Sequence, residues 1–150
     1  MKILISACLL GQNVKYDGSN NSILENQFIQ KLKKLDMLIP ICPEVEGGLP
    51  TPRVPVEIID NKAIDKEGND RTKNFFLGAK KTCQLALKND VKIAIMKAKS
   101  PSCGKGKIYD GTFSKKLVDA NGAAVIALEE IGIEVFSEDD LKKLEKILDI

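Results

Sequence analysis

Four short runs of apolar, largely β-branched residues recur along the chain, and their spacing limits the fold more than any other feature. Residues 2–7 (KILISA), 37–41 (MLIPI), 91–97 (VKIAIMK) and 132–136 (GIEVF) are nearly continuous in apolar character and too short for buried helices. Strands covered by helices on both faces have this appearance. Pro40 weakens the second assignment, because it lacks the N–H that a ladder requires.

Helical patterns lie between these runs. In residues 21–35, Leu24, Phe28, Leu32 and Leu35 form one stripe opposite Lys and Gln. In residues 72–88 the stripe is Phe75, Phe76, Ala79, Cys83, Ala86 and Leu87. Residues 121–131 are apolar nearly all round, and Ser137 caps a last helix whose Leu141, Leu144 and Leu148 face inward. The alternation predicts an α/β fold with an open, mostly parallel, Rossmann-like sheet flanked by helices. A length of 150 residues matches a single domain spanning the whole chain. Residues 43–71 interrupt the alternation with Gly47, Gly48, Pro50, Pro52 and Pro55, followed by a hairpin expected around Asn61. So long a break reads as a functional loop over the sheet edge.

Charge narrows the partners. The net charge is +2, and Lys and Arg are scattered among Asp and Glu. That pattern supplies no footprint for a nucleic-acid polymer or an anionic membrane surface, so a small molecule is the expected partner. No apolar run reaches membrane-spanning length. The N-terminal MKILISACLLG has one basic residue and no small-residue cleavage site, so it reads as a first strand rather than an export signal. The expected compartment is the cytoplasm, where thiols stay reduced. Histidine is absent, which removes Ser-His and Cys-His catalysis and every His-containing metal site.

The cysteines then stand out. Cys8 follows the first apolar run, Cys42 follows the second, and Cys103 lies in SPSCG just past the third. Sites in open α/β sheets form outside the carboxyl ends of the strands, so three cysteines distant in sequence are placed to converge there. Cys83 differs: it lies mid-helix on an apolar stripe and reads as a small core residue. Three thiolates are compatible with zinc plus a water, or with a [4Fe-4S] cluster that keeps one iron free of protein ligands. The lack of His and of paired C-x-x-C spacing is unusual for zinc, but spacing alone does not choose the metal.

Neighbouring polar residues are candidates for the remaining chemistry. Glu44 follows Cys42 by two residues and is placed to deprotonate water beside a metal; a solvated loop acid or a helix-N-terminal charge is the plainer reading. Ser100 and Ser102 flank Pro101, positioned to orient water or to make turn hydrogen bonds. Arg53, in TPRVP, offers a forked donor for a carbonyl or phosphate, or a surface ion pair. Asp17 in KYDG and Asp110 in IYDG read as turn residues.

Seven segments carrying these residues resemble the DUF523 family, which includes the thiouracil desulfidases. They are SACLLG (6–11), KYDG (15–18), CPEVEGGLPTPRVPVEI (42–58), GNDRTKNFFLGA (68–79), KAKSPSCG (97–104), IYDGTFS (108–114) and GIEVFSE (132–138). Arg71 departs from the family pattern, where Val is commoner. The resemblance implies a [4Fe-4S] cluster whose ligands fall on Cys8, Cys42 and Cys103, a catalytic glutamate at Glu44 and a catalytic serine at Ser100. It further implies a thiolated pyrimidine substrate, such as 4-thiouracil or its nucleoside or nucleotide, from which sulfur is removed by hydrolysis with release of sulfide. Two rival readings are a non-enzymatic three-cysteine zinc or iron–sulfur binding module and a persulfide sulfur carrier.

Overall fold

The computed structural model describes residues 1–150. In chain order its elements are β1 (Ile3–Ser6), α1 (Gln27–Lys34), β2 (Leu38–Ile41), α2 (Pro43–Glu46), β3 (Val56–Ile59), β4 (Lys62–Asp65) and α3 (Thr72–Lys88). Then follow β5 (Ile93–Ile95), β6 (Lys107–Tyr109), β7 (Leu117–Asp119), α4 (Ala123–Glu130), β8 (Glu134–Phe136) and α5 (Leu141–Leu148).

Strands β1, β2, β5 and β8 form one parallel sheet in the order β2-β1-β5-β8, as expected from the four apolar runs. Alternation along β1 sends Ile3 and Ile5 to one face and Leu4 to the other. Ile3 and Ile5 pack with Phe28, Ile29 and Leu32 of α1 and with Leu141 and Leu144 of α5. Leu4 packs with Ala79 and Ala86 of α3 and with Val125 and Leu128 of α4. Both faces are therefore covered, which is why the strands lack polar alternation. Pro40 is accommodated because β2 is an edge strand, with only β1 as neighbour.

The chain passes from β1 to β2 on one side and then crosses to β5 on the other. The order thus reverses at β1, and the crevice beyond its carboxyl end is the topological switch point where α/β sheets bind ligands.

Several details differ from the sequence expectation. The first helix starts at Gln27, not near residue 21, because the Asn26 side chain caps it by accepting the N–H groups of Phe28 and Ile29. Leu24 reaches the same core from the preceding turn, while Leu35 at the helix end is exposed. In α3 the inward stripe runs through Phe75, Ala79, Thr82 and Ala86; Phe76 and Leu87, a step of about 100° away, are 74% and 64% exposed. The hairpin around Asn61 is present as β3 and β4. The short helix α2 and the β6–β7 hairpin are additions that the sequence pattern did not signal.

Candidate active site at the carboxyl ends of the strands

Each of the three cysteines follows a strand or its loop, and local backbone chemistry fixes each one. Cys8 lies in a 3-10 turn at Ala7–Leu10 directly after β1, closed by Gly11 in a left-handed conformation (φ 84°). Asn21 Nδ2 points at Cys8 Sγ at 3.7 Å. Cys42 follows β2 as the N-cap residue of α2, beside the N–H groups that open that helix, with its Sγ 3.8 Å from Val14 O. Cys103 is held by the SPSCG turn, in which Ser100 Oγ accepts the N–H groups of Ser102 (3.2 Å) and Cys103 (3.0 Å). All three line one cavity of about 550 Å³, a size typical of small-molecule sites. Cys83 lies outside it, packed partly buried against the α3–α4 side of the core.

Glu44, from α2, lines the same cavity and is held at both oxygens. Arg53 Nε donates to Oε1 at 3.1 Å, and Ser102 Oγ donates to Oε2 at 2.8 Å. Because the Ser102 proton goes to the carboxylate, the 3.1 Å contact between the two serines is donated by Ser100. A directed chain results: Ser100 to Ser102 to Glu44. Ser102, rather than Ser100, makes the contact with the carboxylate.

Arg53 is neither a surface ion-pair partner nor a free fork for a substrate. The pair with Glu44 is nearly sealed, with side chains 6% and 12% exposed. Its five N–H groups meet Glu44, Pro50 O, Thr51 Oγ1, Val14 O and Cys42 Sγ. With every donor engaged, its role is to position Glu44 and Cys42. Asp17 and Asp110 are turn residues, as expected: Asp17 accepts from Ser19 and Asp110 from Thr112. Those bonds hold both carboxyls below the usual carboxylate range, the hydroxyl bond being the larger cause in each. Arg71 pairs with Asp65 at the end of β4 and does not line the cavity.

Sequence reasoning missed several cavity residues. Lys97 ends the third apolar run, so the rule that found the cysteines also applies to it. Its Nζ pairs with Glu138 Oε2 at 2.7 Å, and Glu138 Oε1 accepts the Ala98 N–H. Lysines that look dispersed along the chain converge here: Lys15, Lys66, Lys97, Lys99 and Lys115 all line the cavity. Their charge favours anionic sulfur and anionic groups at the site. Both tyrosines of the chain, Tyr16 and Tyr109, line it too, together with Phe113 and Glu57.

As isolated thiols the cysteines resist ionisation. Burial pushes Cys8 and Cys42 up from the ordinary thiol value and Cys103 up to about 12, with the neighbouring cysteines adding to the rise in Cys8 and Cys103. Such a set ionises when a metal takes the place of the protons. No three His, Cys, Asp or Glu side chains cluster closely enough to grip a single metal ion. Zinc with bonds of about 2.3 Å would draw its sulfurs to within about 4 Å of one another. Three thiols and no histidine make a soft, all-sulfur donor set, which fits the iron of an iron–sulfur cluster.

Fold and site together define an α/β protein in which three cysteines and a buried Glu–Arg–Ser network line one cavity at the switch point of the sheet. Comparison with known proteins gives the family. A 2-thiouracil desulfurase family model matches residues 3–140, and the chain belongs to that family. A [4Fe-4S]-dependent thiouracil desulfidase of known structure, TudS, is 40% identical and superposes with a TM-score of 0.95 over 99% of this chain and 97% of its own. The uncharacterized protein YbbK of Bacillus subtilis (strain 168) is 36% identical, over 95% of this chain and 99% of its own.

Proposed function

We propose that this chain is an iron–sulfur-dependent desulfidase that converts a thiolated pyrimidine, 4-thiouracil or its nucleoside or nucleotide, to the corresponding carbonyl compound by hydrolysis. The observation that carries the reading is the arrival of Cys8, Cys42 and Cys103 in one cavity beside a doubly held Glu44. The family and the [4Fe-4S]-dependent structural relative support it. Cys8, Cys42 and Cys103 are the ligands in this reading. When bound, the cluster supplies an iron without a protein ligand, a soft Lewis acid suited to a thiocarbonyl sulfur.

The chain's own residues do the rest. Glu44 accepts a proton from water, and the hydroxide attacks the thiocarbonyl carbon. Arg53 and Ser102 each hold one oxygen of the carboxylate, which fixes Glu44 in place for that proton transfer. Ser100 orients Ser102 through the hydroxyl chain. The carbon–sulfur bond breaks, oxygen takes the place of sulfur, and sulfide leaves carrying the protons from water. Thiocarbonyl and carbonyl carbons share an oxidation level, so no electron donor is consumed. The lysines around the cavity compensate the charge of thiolate and sulfide. We place the reaction in the cytoplasm, where thiols stay reduced; no helix is long and apolar enough to cross a membrane.

Anaerobic purification tests the centre directly. The expected protein is brown and holds about four irons and about four acid-labile sulfides per chain. Cys42→Ser is expected to lose both the colour and sulfide release. A colourless zinc protein, or a persulfide on one cysteine without iron, contradicts the proposal.

A further inference from the structure

Glu57 lies in β3, where a buried carboxylate requires a reason. It is 9% exposed and lines the cavity that holds the three cysteines. Its Oε1 accepts two backbone N–H groups, from Gly111 and Phe113, each at 3.0 Å. Its Oε2 takes no hydrogen bond from the protein. Since no sealed side-chain oxygen in the molecule lacks a partner, Oε2 keeps some exposure, and it belongs to a residue that lines the cavity. An ionised carboxylate oxygen only accepts, so this position calls for a ligand N–H or O–H.

The loop that clamps Oε1 is itself fixed. Phe113 and Lys115 adopt left-handed conformations (φ 56° and 63°) that side-chain-bearing residues rarely take, a form of strain that gathers at ligand clamps. Gly111, with φ 95°, packs so close to β3 that a Cβ would lie 2.7 Å from Ile59 Cβ. The carboxylate is thus held with one oxygen committed and the other presented, and Phe113 forms part of the same wall.

We propose that Glu57 reads the base: Oε2 accepts the ring N–H adjacent to the thiocarbonyl carbon while Oε1 stays clamped by residues 111–113. The assignment rests on the reading above that the substrate is a thiolated pyrimidine. It makes Glu57 a specificity-determining residue, separate in role from Glu44, and it predicts that the enzyme selects the protonated-ring (thione) form.

Glu57→Gln isolates the role. Its amide oxygen keeps the two loop N–H bonds, and its NH₂ group replaces Oε2, setting donor against donor. The reconstituted holoenzyme is compared with this variant using 4-thiouracil and its N3-methyl derivative, by equilibrium dialysis and by kcat/KM for sulfide release. Wild type is expected to favour the N–H compound by roughly 10- to 100-fold, the loss typical of a charge-assisted hydrogen bond. Glu57→Gln is expected to lose most of that preference by weakening the parent compound, with the visible spectrum and melting temperature retained. The ratio between the two proteins is diagnostic, because the methyl group adds bulk equally to both. A Glu57→Gln ratio equal to that of wild type overturns the proposal while leaving the desulfidase reading intact. Wild-type binding with the expected preference but without sulfide release overturns the reaction and leaves the recognition. Failure of wild type to bind either compound overturns both.

Discussion

Glu44 is reached by two donors and placed beside three cysteines, so its loss should separate cluster retention from turnover. Glu44→Gln is expected to keep the iron content and visible spectrum while lowering kcat by about 10²- to 10⁴-fold, the range for a removed general base. Iron analysis and a sulfide-release assay check this, and full turnover in Glu44→Gln would remove it as the base. Arg53 has no uncommitted donor, so Arg53→Lys cannot reproduce its contacts. The expected cost is about tenfold or more in kcat with a small change in KM, measured by steady-state kinetics. Asp65, buried at the end of β4, gives a pH prediction. Burial alone would raise its pKa, but the N–H groups of Asn69 and Glu67 and the Arg71 guanidinium outweigh it and hold the carboxyl below the usual range. A depressed folded-state pKa adds stability above the unfolded value, and that stability is lost as pH falls through the folded one. Melting temperature is therefore expected to fall on acidification below the ordinary Asp range, with a shallower fall in Asp65→Asn.

At the scale of elements, α2 carries Glu44 and follows directly on Cys42, and its seat on α3 is set by two glycines. A Cβ at Gly47 would lie 2.0 Å from Asn74 O, and one at Gly78 would lie 1.9 Å from Pro43 O. Those are backbone atoms, so the helices must separate if either glycine gains a side chain. Gly78→Ala is expected to cost roughly 1–3 kcal/mol or more in thermal or denaturant unfolding. It is also expected to weaken cluster retention, because Cys42 moves with α2; chelator challenge measures that. The close approach was not legible in the sequence, since nothing local distinguishes a packing glycine from a turn glycine. The four strands were legible, because burial on both faces leaves an unbroken apolar run. Phe76 and Leu87 are apolar and so read as inward-facing, yet the helical angle turns them out. The strand ends pointed to the cysteines by a topological rule. Glu57 escaped because a single acid in an apolar strand resembles a solvent-facing alternation until the fold places residues 111–113 against it. Arg53 was visible as a candidate, but its commitment to Glu44 depends on contacts with Val14 and Cys42 that span the sequence.

Across the whole molecule, a nearly balanced chain concentrates positive charge where anionic sulfur is handled. The net charge of +2 conceals five lysines around one cavity. The proposed ligation also links cluster and fold thermodynamically: a centre bound only by the folded arrangement of Cys8, Cys42 and Cys103 would raise apparent stability. The anaerobic holoprotein is expected to melt higher than the cluster-free chain, and iron chelation should reverse the gain. The central claim is that water, activated beside the cysteine centre, replaces sulfur without redox chemistry. The measurement that tests it most directly is anaerobic turnover of 4-thiouracil in oxygen-labelled water with no electron donor. The account predicts that each substrate consumed yields one sulfide and one carbonyl product carrying the label. Sulfide formed without label in the product, or turnover that requires an electron donor, would contradict it.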